Sequence, residues 1–309
     1  MIFCLAILLD FALGDPKNFF HPVILIGKFI DFWRKIFLTN THSFFQGLVV
    51  CVMTLTTTGL LVCSVLYLSN YNFLVQVYLL YSALAWRDLK DETAPVVNAL
   101  IQKDLLEARK FLSFVVGRDT QNLNECEILK ALIETIGENS VDGVFSVMFF
   151  ALIGQFINNS YGMILFVWLF KASSTLDSMI GYEKFHEFGK ASARLDDVLN
   201  FLPARIGGII IILAGALTGC NIKLALKIFM SDRLKHKSPN SAHGESAFAG
   251  VLGVKLGGGA FYSGKFEARP SINSNGREPE IFDVLRAWQL LDVSCAIFAV
   301  VIMMIMMIY

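Results

Sequence analysis

Charge is scarce in this chain. Asp, Glu, Lys and Arg make up only 17% of its 309 residues, whereas 55% are hydrophobic, and mean hydropathy is +0.58. Soluble domains carry about a quarter charged residues, so the soluble globular class is excluded. Net charge is zero, which leaves no basic field to attract nucleic acid, and no nucleic-acid partner is expected. The six cysteines (Cys4, Cys51, Cys63, Cys126, Cys220 and Cys295) form no C-x-x-C pair, and the five histidines form no H-E-x-x-H. The common zinc and redox motifs are therefore missing, and the thiols read as small buried groups in apolar runs. Internal repeats and low-complexity linkers are absent too. The N-terminal MIFCLAILLDFALGDP lacks a basic leader and a small-x-small cleavage site. It reads as a retained first membrane segment.

Long apolar runs are what the chain has in place of charge. Residues 1–13 are apolar but short. From Pro22, the residues Val23, Ile26, Ile30 and Trp33 recur at helical spacing with Lys28, Arg34 and Lys35 elsewhere, the pattern of an interfacial helix. Residues 43–68 are long enough to span a bilayer, and 73–86 return. Residues 87–142 are polar with helical periodicity, broken by a turn at GRDT. Residues 144–170 are apolar but interrupted by INNSYG, so they form either a hairpin of two short helices or one broken span. A polar helical region runs on to Arg205. Residues 206–220 carry Gly215-x-x-x-Gly219, a spacing that permits close helix packing. Residues 221–284 are polar and Gly-rich, and a final span follows. The expectation is one all-α polytopic membrane domain over 1–309, with about five to six membrane helices. Interfacial helices and polar loops would form a site at one bilayer face. Ten Lys and Arg between Cys220 and Arg286 place that region in the cytoplasm. If 87–142 and 171–205 share that face, then either 206–220 is re-entrant or 144–170 crosses an odd number of times.

Several motifs carry chemistry. On a helix, Glu127, Glu134, Glu138 and Asp142 of EILKALIETIGENSVDG fall within one narrow arc. Such a stripe is either a solvated face or a cation site, and its run into the apolar segment at Val144 favours a role. In SARLDDVLNFLPAR, Asp196 and Asp197 could hold Mg²⁺ while Arg194 and Arg205 hold phosphate; the alternative is a surface helix laced with ion pairs. GRDT offers Arg118 and Asp119 on a turn. His21 is either a proton carrier or a structural residue. In KASSTLDSMIGY, Lys171 suits a span end, but Asp177 among apolar residues is not explained that way. GAFYSGKF resembles a P-loop but puts Phe266 where Ser or Thr would hold magnesium, so a plain turn is the default.

In this order, the motifs LLDFALGDP…HPVILIG, WRDL, GRDT, IETIGENSVDGVFS, KASSTLDSMIGY, SARLDDVLNFLPAR and AFAGVLGVKLGG resemble the adenosylcobinamide-phosphate synthase family, the CobD/CbiB proteins. They cover about residues 8–290. The resemblance implies a multi-pass enzyme of the bacterial inner membrane, its site facing the cytoplasm. Such an enzyme would use ATP and Mg²⁺ to join the corrinoid adenosylcobyric acid to (R)-1-amino-2-propanol phosphate or a related amino-alcohol phosphate. It also allows association with other cobalamin-pathway membrane enzymes. The chain departs from the family pattern in places. It has Gly137 in GEN where the family has A-E-N, Val147 where a proline is usual, and Ser174 in place of Asn. It also reads SPNSAHGESA over 238–247 where the family reads roughly S-P-N-A-G-x-P-E-A-A. That altered segment is the main support for a rival reading, a catalytically inactive sensor. A transporter is the second rival, with Asp10 and Asp292 as its candidate membrane charges.

The resemblance supports the candidate positions as a set, and the roles follow from chemistry. Lys171, Asp177, Asp119 and His21 are the candidate catalytic groups, the acids and the histidine as bases for the amine. Arg118, Thr120, Asn139, Ser174, Arg194 and Arg205 are candidates to hold phosphate. Glu134, Glu138, Asp142, Asp196 and Asp197 are the candidate magnesium ligands.

Overall fold

The computed structural model describes residues 1–15, 21–38, 43–181 and 186–308, the side chain of His186 excepted. Pro16 and Tyr182, at the edges of two motifs, lie outside them. The chain is built of helices. These are α1 (Ile2–Leu13), α2 (Pro22–Phe37), α3 (Phe44–Leu68), α4 (Phe73–Tyr81), α5 (Trp86–Ile101), α6 (Leu105–Leu112) and α7 (Glu125–Ser140). After a π-turn (Val141–Phe145) come α8 (Ser146–Ile180), α9 (His186–Leu199), α10 (Phe201–Leu217), α11 (Ile222–Asp232), α12 (Ser241–Leu252) and α13 (Ile281–Ile308). Two short antiparallel strand pairs lie between α12 and α13: β1 (Leu256–Gly257) with β4 (Ser271–Ile272), and β2 (Ala260–Tyr262) with β3 (Lys265–Glu267). The protein is an all-α polytopic membrane protein. Three helical segments among the described residues are long and apolar enough to cross a bilayer, or four if 187–199 and 201–217 count as one bent span. That is fewer than the five or six anticipated, because several apolar runs are short or folded back.

Two compact units make up the span expected as one domain. The first comprises Met1–Ala85, Ser146–Asn200 and Ala299–Tyr309. Here α2, α8 and α9 pack on α3, and α1 packs on α4. Gly47 of α3 permits a close approach of α9, since a Cβ there would lie 1.9 Å from the Phe188 carbonyl oxygen. The INNSYG interruption is a hairpin. Asn158 and Asn159 leave helical geometry, with φ of −152° and 50°. Beyond them the chain folds back, so a Cβ on Gly154 would sit 2.2 Å from the Gly162 oxygen. Phe150 stacks on Phe170 across the arms at 4.9 Å. Of the two sequence alternatives, the pair of short helices holds. At the end of the second arm α8 carries Lys171, Ser174 and Asp177. His21 is the N-cap of α2, its Nδ1 accepting from the Val23 N–H at 3.3 Å and its Nε2 lying 2.9 Å from Asp15.

The second unit comprises Trp86–Phe145 and Phe201–Phe298. α12 is its centre. Every residue from Ala242 to Leu252 is buried, and α7, α10 and α11 pack around it. Two glycines set the α7–α12 contact: a Cβ on Gly244 would meet the Gly137 carbonyl oxygen at 2.1 Å, and one on Gly137 would meet the Glu245 backbone at 3.2 Å. In the Gly215-x-x-x-Gly219 spacing only Gly215 packs, against Val251, while Gly219 lies past the helix end with nothing near it. No cysteine among the described residues forms a disulfide; Cys51 and Cys295 are buried, and Cys63 is exposed. Asp292 is paired, its carboxylate accepting from Lys90 Nζ at 2.6 Å and Trp86 Nε1 at 2.9 Å. Asp10 is fully buried within the first unit.

Candidate active site

The carboxylate stripe of α7 is divided by its neighbours. Glu127 is spent at the helix start in a capping box: its carboxylate accepts from the Asn124 N–H at 2.8 Å, and Asn124 caps the Glu127 N–H at 3.0 Å. Glu134, two turns on, is buried. It pairs with Arg118 of the GRDT turn and accepts the Gly257 N–H at 2.7 Å. Gly257, Gly258 and Gly259 have φ of 71°, 105° and 93°, a path that side-chain-bearing residues rarely follow, and this path brings the Gly257 amide to Glu134. Asp142 sits on the π-turn, an irregularity often found at functional sites.

The GRDT turn also organises the β2–β3 hairpin. Asp119 accepts from the Ser263 and Gly264 amides at 3.1 and 2.7 Å, and its own N–H donates to Phe261 at 2.8 Å. Ser263 and Gly264 both have positive φ, as a two-residue hairpin requires. GAFYSGKF is therefore a hairpin. Thr120 is buried beside Asp119.

Residues not singled out from the sequence complete this region. A cavity is lined by Arg118, Glu134, Lys235, His236, Glu245 and Arg269, together with backbone of the glycine loop. Arg269 lies 3.2 Å from His236 Nε2 and stacks on the Tyr262 ring at 4.9 Å. Burial pushes the Glu245 carboxyl well above the usual range, and the neighbouring Glu134 and Glu138 push it further. Burial lowers His236, while Glu138 and Glu134 oppose that shift. The sequence held a signal for Glu245: it stands alone in HGESAFAG, a run of small residues that packs into a core. Two residues earlier, His243 is fully buried, and its pKa is held down to about 4 by burial and by Arg205 and Arg233.

The candidate residues fall in both units. Arg118, Asp119, Thr120, Glu134, Glu138, Asn139, Asp142 and Arg205 belong to the second, and within it Arg118, Glu134 and Glu138 meet around Glu245 and His236. Arg205 is engaged elsewhere, stacked on Phe201 at 3.4 Å and donating to Asn240 at 3.2 Å. His21, Lys171, Ser174, Asp177, Arg194, Asp196 and Asp197 belong to the first. There Asp196 accepts from Asn200 Nδ2 at 2.9 Å, and Asn200 Oδ1 accepts from Ser146 at 2.6 Å. Among the described residues no group of three or more His, Cys, Asp or Glu is disposed to hold a metal. The five candidate magnesium ligands are thus not one cage: Glu134 is taken by Arg118, and Asp196 and Asp197 stand on α9. Magnesium binds through one or two carboxylates plus phosphate and water, so a site for it does not need all five acids together.

The family model described as CobD/Cbib protein matches residues 3–291. The chain belongs to the CobD/CbiB family. It is 39% identical over 291 residues to "Cobalamin biosynthesis protein CobD" of Clostridium perfringens, covering 90% of this chain and 89% of that one. The protein of the same name from Clostridium tetani is 42% identical over 278 residues, with 86% and 85% covered. That of Citrobacter koseri is 36% identical, with 95% and 93% covered. No solved structure matches. The role of this CobD/CbiB chain is therefore in cobalamin biosynthesis. Two of its departures from the family pattern, Gly137 and Gly244, turn out to touch each other.

Proposed function

We propose that the protein is an ATP-dependent ligase that joins adenosylcobyric acid to an amino-alcohol phosphate, giving adenosylcobinamide phosphate. The observation that supports this most is the second unit's cavity, where Arg118, Arg269 and His236 stand beside the buried acids Glu245 and Glu134. That mixture suits a small ligand with both anionic and cationic ends. The proposed course runs through an acyl phosphate. A carboxylate oxygen attacks the γ-phosphorus and ADP leaves; the amine nitrogen then attacks the carbonyl carbon, phosphate leaves, and the amine proton passes to a base. Magnesium would neutralise charge on the ATP phosphates, and Asp196, Asp197 or Asp142 would hold it. In the second unit Arg118 is proposed to orient phosphate; in the first, Lys171 and Arg194 are proposed to do so, with Asp177 as a base. The basic 220–286 region supports a cytoplasmic site in the inner membrane.

The test is reconstitution. Protein purified in detergent is given adenosylcobyric acid, aminopropanol phosphate and Mg-ATP. Amide product with equimolar ADP is expected, and absence of both would sink the ligase reading. For Asp177→Asn we expect turnover to fall by roughly 10²-fold or more, the usual range for a lost general base, with membrane insertion intact. Near-wild-type kcat would remove Asp177 from the chemistry.

A further inference from the structure

A second basic cluster in the same unit has no acid to answer it. Arg205 lies near the start of α10, and Arg233 is the C-cap of α11. The two helices pack on each other, and both pack on α12. A Cβ on Gly208 would meet the Phe229 ring at 2.4 Å, a register that brings Arg205 and Arg233 to the same end of the pair. There the two guanidinium groups repel each other, and like charges held together are destabilising without a counter-charge. Among the described residues neither makes an ion pair. Arg205 is held by the ring and carbonyl of Phe201 and by Asn240 Oδ1. Arg233 Nε is buried with no hydrogen-bond partner. Asp232, the nearest acid in sequence, is buried and already taken by Lys235 Nζ and the Asn273 amide, each at 2.7 Å.

The amino end of α12 adds to the same positive charge. Asn240 is its N-cap but makes no side-chain cap hydrogen bond, because its Oδ1 accepts from Arg205 instead. The first-turn amides and the positive end of the helix dipole are thus left for another acceptor. His243, in that first turn, is the sharper sign. It is 0% exposed and lies in the field of both arginines, yet among the described residues neither ring nitrogen has a hydrogen-bond partner. Buried polar groups are nearly always satisfied. Two arginines without an acid, an open helix start and an unanswered imidazole together specify an anion. The surroundings specify which one. Leu202, Ile209 and Leu213 share the Arg205 face of α10 at helical spacing and are 54%, 50% and 52% exposed. Met230 and Leu234 flank Arg233 at 60% and 63%, and Lys223 and Lys227 are exposed on the same helix. A basic helix with exposed apolar side chains is the pattern of a lipid surface; a soluble phosphate needs no apolar rim.

We propose that Arg205, Arg233 and the amino end of α12 bind the headgroup phosphate of an anionic phospholipid, whose acyl chains lie along the exposed apolar faces of α10 and α11. A choline headgroup would bring an ammonium that no free acid of the cluster receives. Phosphatidylglycerol brings the phosphate without a cation. None of these contacts enters the proposed ligase course, so the site stands or falls separately from that reading.

Lipid binding is measured by native mass spectrometry on the full-length protein in detergent, titrated with dioleoylphosphatidylglycerol or dioleoylphosphatidylcholine. A charge-assisted contact is worth roughly tenfold or more, so the wild type should prefer phosphatidylglycerol by about that factor. Arg205→Gln and Arg233→Gln should each weaken phosphatidylglycerol about tenfold. Lys103→Gln, which removes an exposed charge between α5 and α6, should change it less than about twofold. Glycerol 1-phosphate, a phosphate ester without chains, should fail to displace the lipid at about tenfold molar excess, because it lacks the apolar contacts. Three results overturn the proposal. One is a wild type without preference. Another is an arginine loss no larger than that of Lys103→Gln, which would mean unspecific charge attraction. The third is full displacement by glycerol 1-phosphate, which would make this a site for soluble phosphate esters. Neither arginine holds an ion pair, so both variants should accumulate; should one fail to, the other carries the test.

Discussion

Arg118→Met is expected to cost more than any other single charge change in this protein. Arg118 is the ion-pair partner of Glu134, which is 4% exposed. Removing one member of a buried pair strands the other, at about 3–5 kcal/mol, a large share of a typical domain's net stability. Poor accumulation in the membrane and a melting temperature lower by roughly 10 °C should follow. Arg118 also lines the cavity, so turnover should drop by roughly 10²-fold or more. The double variant Arg118→Met, Glu134→Gln separates the two effects. A glutamine can still accept the Gly257 amide and leaves no stranded charge, so stability should largely return. Turnover should not. If the double variant regains wild-type kcat, Arg118 serves the fold alone.

Gly244→Ala should have the second large effect. The new Cβ would lie 2.1 Å from the Gly137 oxygen and 2.7 Å from its carbonyl carbon. These are backbone atoms, so no side-chain rotation relieves the clash and α12 must move off α7. Overpacking of this kind costs about 1–3 kcal/mol or more. The movement also carries Glu245 away from Glu134 and Glu138, because Gly244 is its immediate neighbour. Gly137→Ala makes a useful contrast, since its Cβ meets the Glu245 backbone at 3.2 Å, and a shift of a few tenths of an ångström suffices. The expected order in melting temperature and kcat is wild type, then Gly137→Ala, then Gly244→Ala well below. Equal behaviour of the two variants would show that the α7–α12 spacing is not what holds the cavity together.

Much of the outline could be read from residue order. Apolar runs, the amphipathic helix from Pro22, and the turn at GRDT follow from local periodicity and turn chemistry, and all three are found. The α7 stripe is a real helical face, because 3.6-residue periodicity places Glu127, Glu134 and Glu138 without help from the rest of the chain. Motif order was enough for the family. The INNSYG interruption announced a break but not its direction, since two asparagines can end a helix or reverse it; the approach of Gly154 to Gly162 decides that.

What each acid does was settled only by tertiary packing. Glu127 is drawn into a cap, Glu134 is paired by Arg118 from a loop and by a glycine amide far along the chain, and Glu138 is left to act on Glu245 through its charge. No local rule assigns those partners, because they come from segments distant in sequence. Glu245 looked like one more residue of a divergent segment. It stands beside Glu134 and Glu138 only because Gly137 and Gly244 let α12 lie directly against α7. Periodicity chooses the face a charge occupies, while close packing chooses its partner and whether it has one.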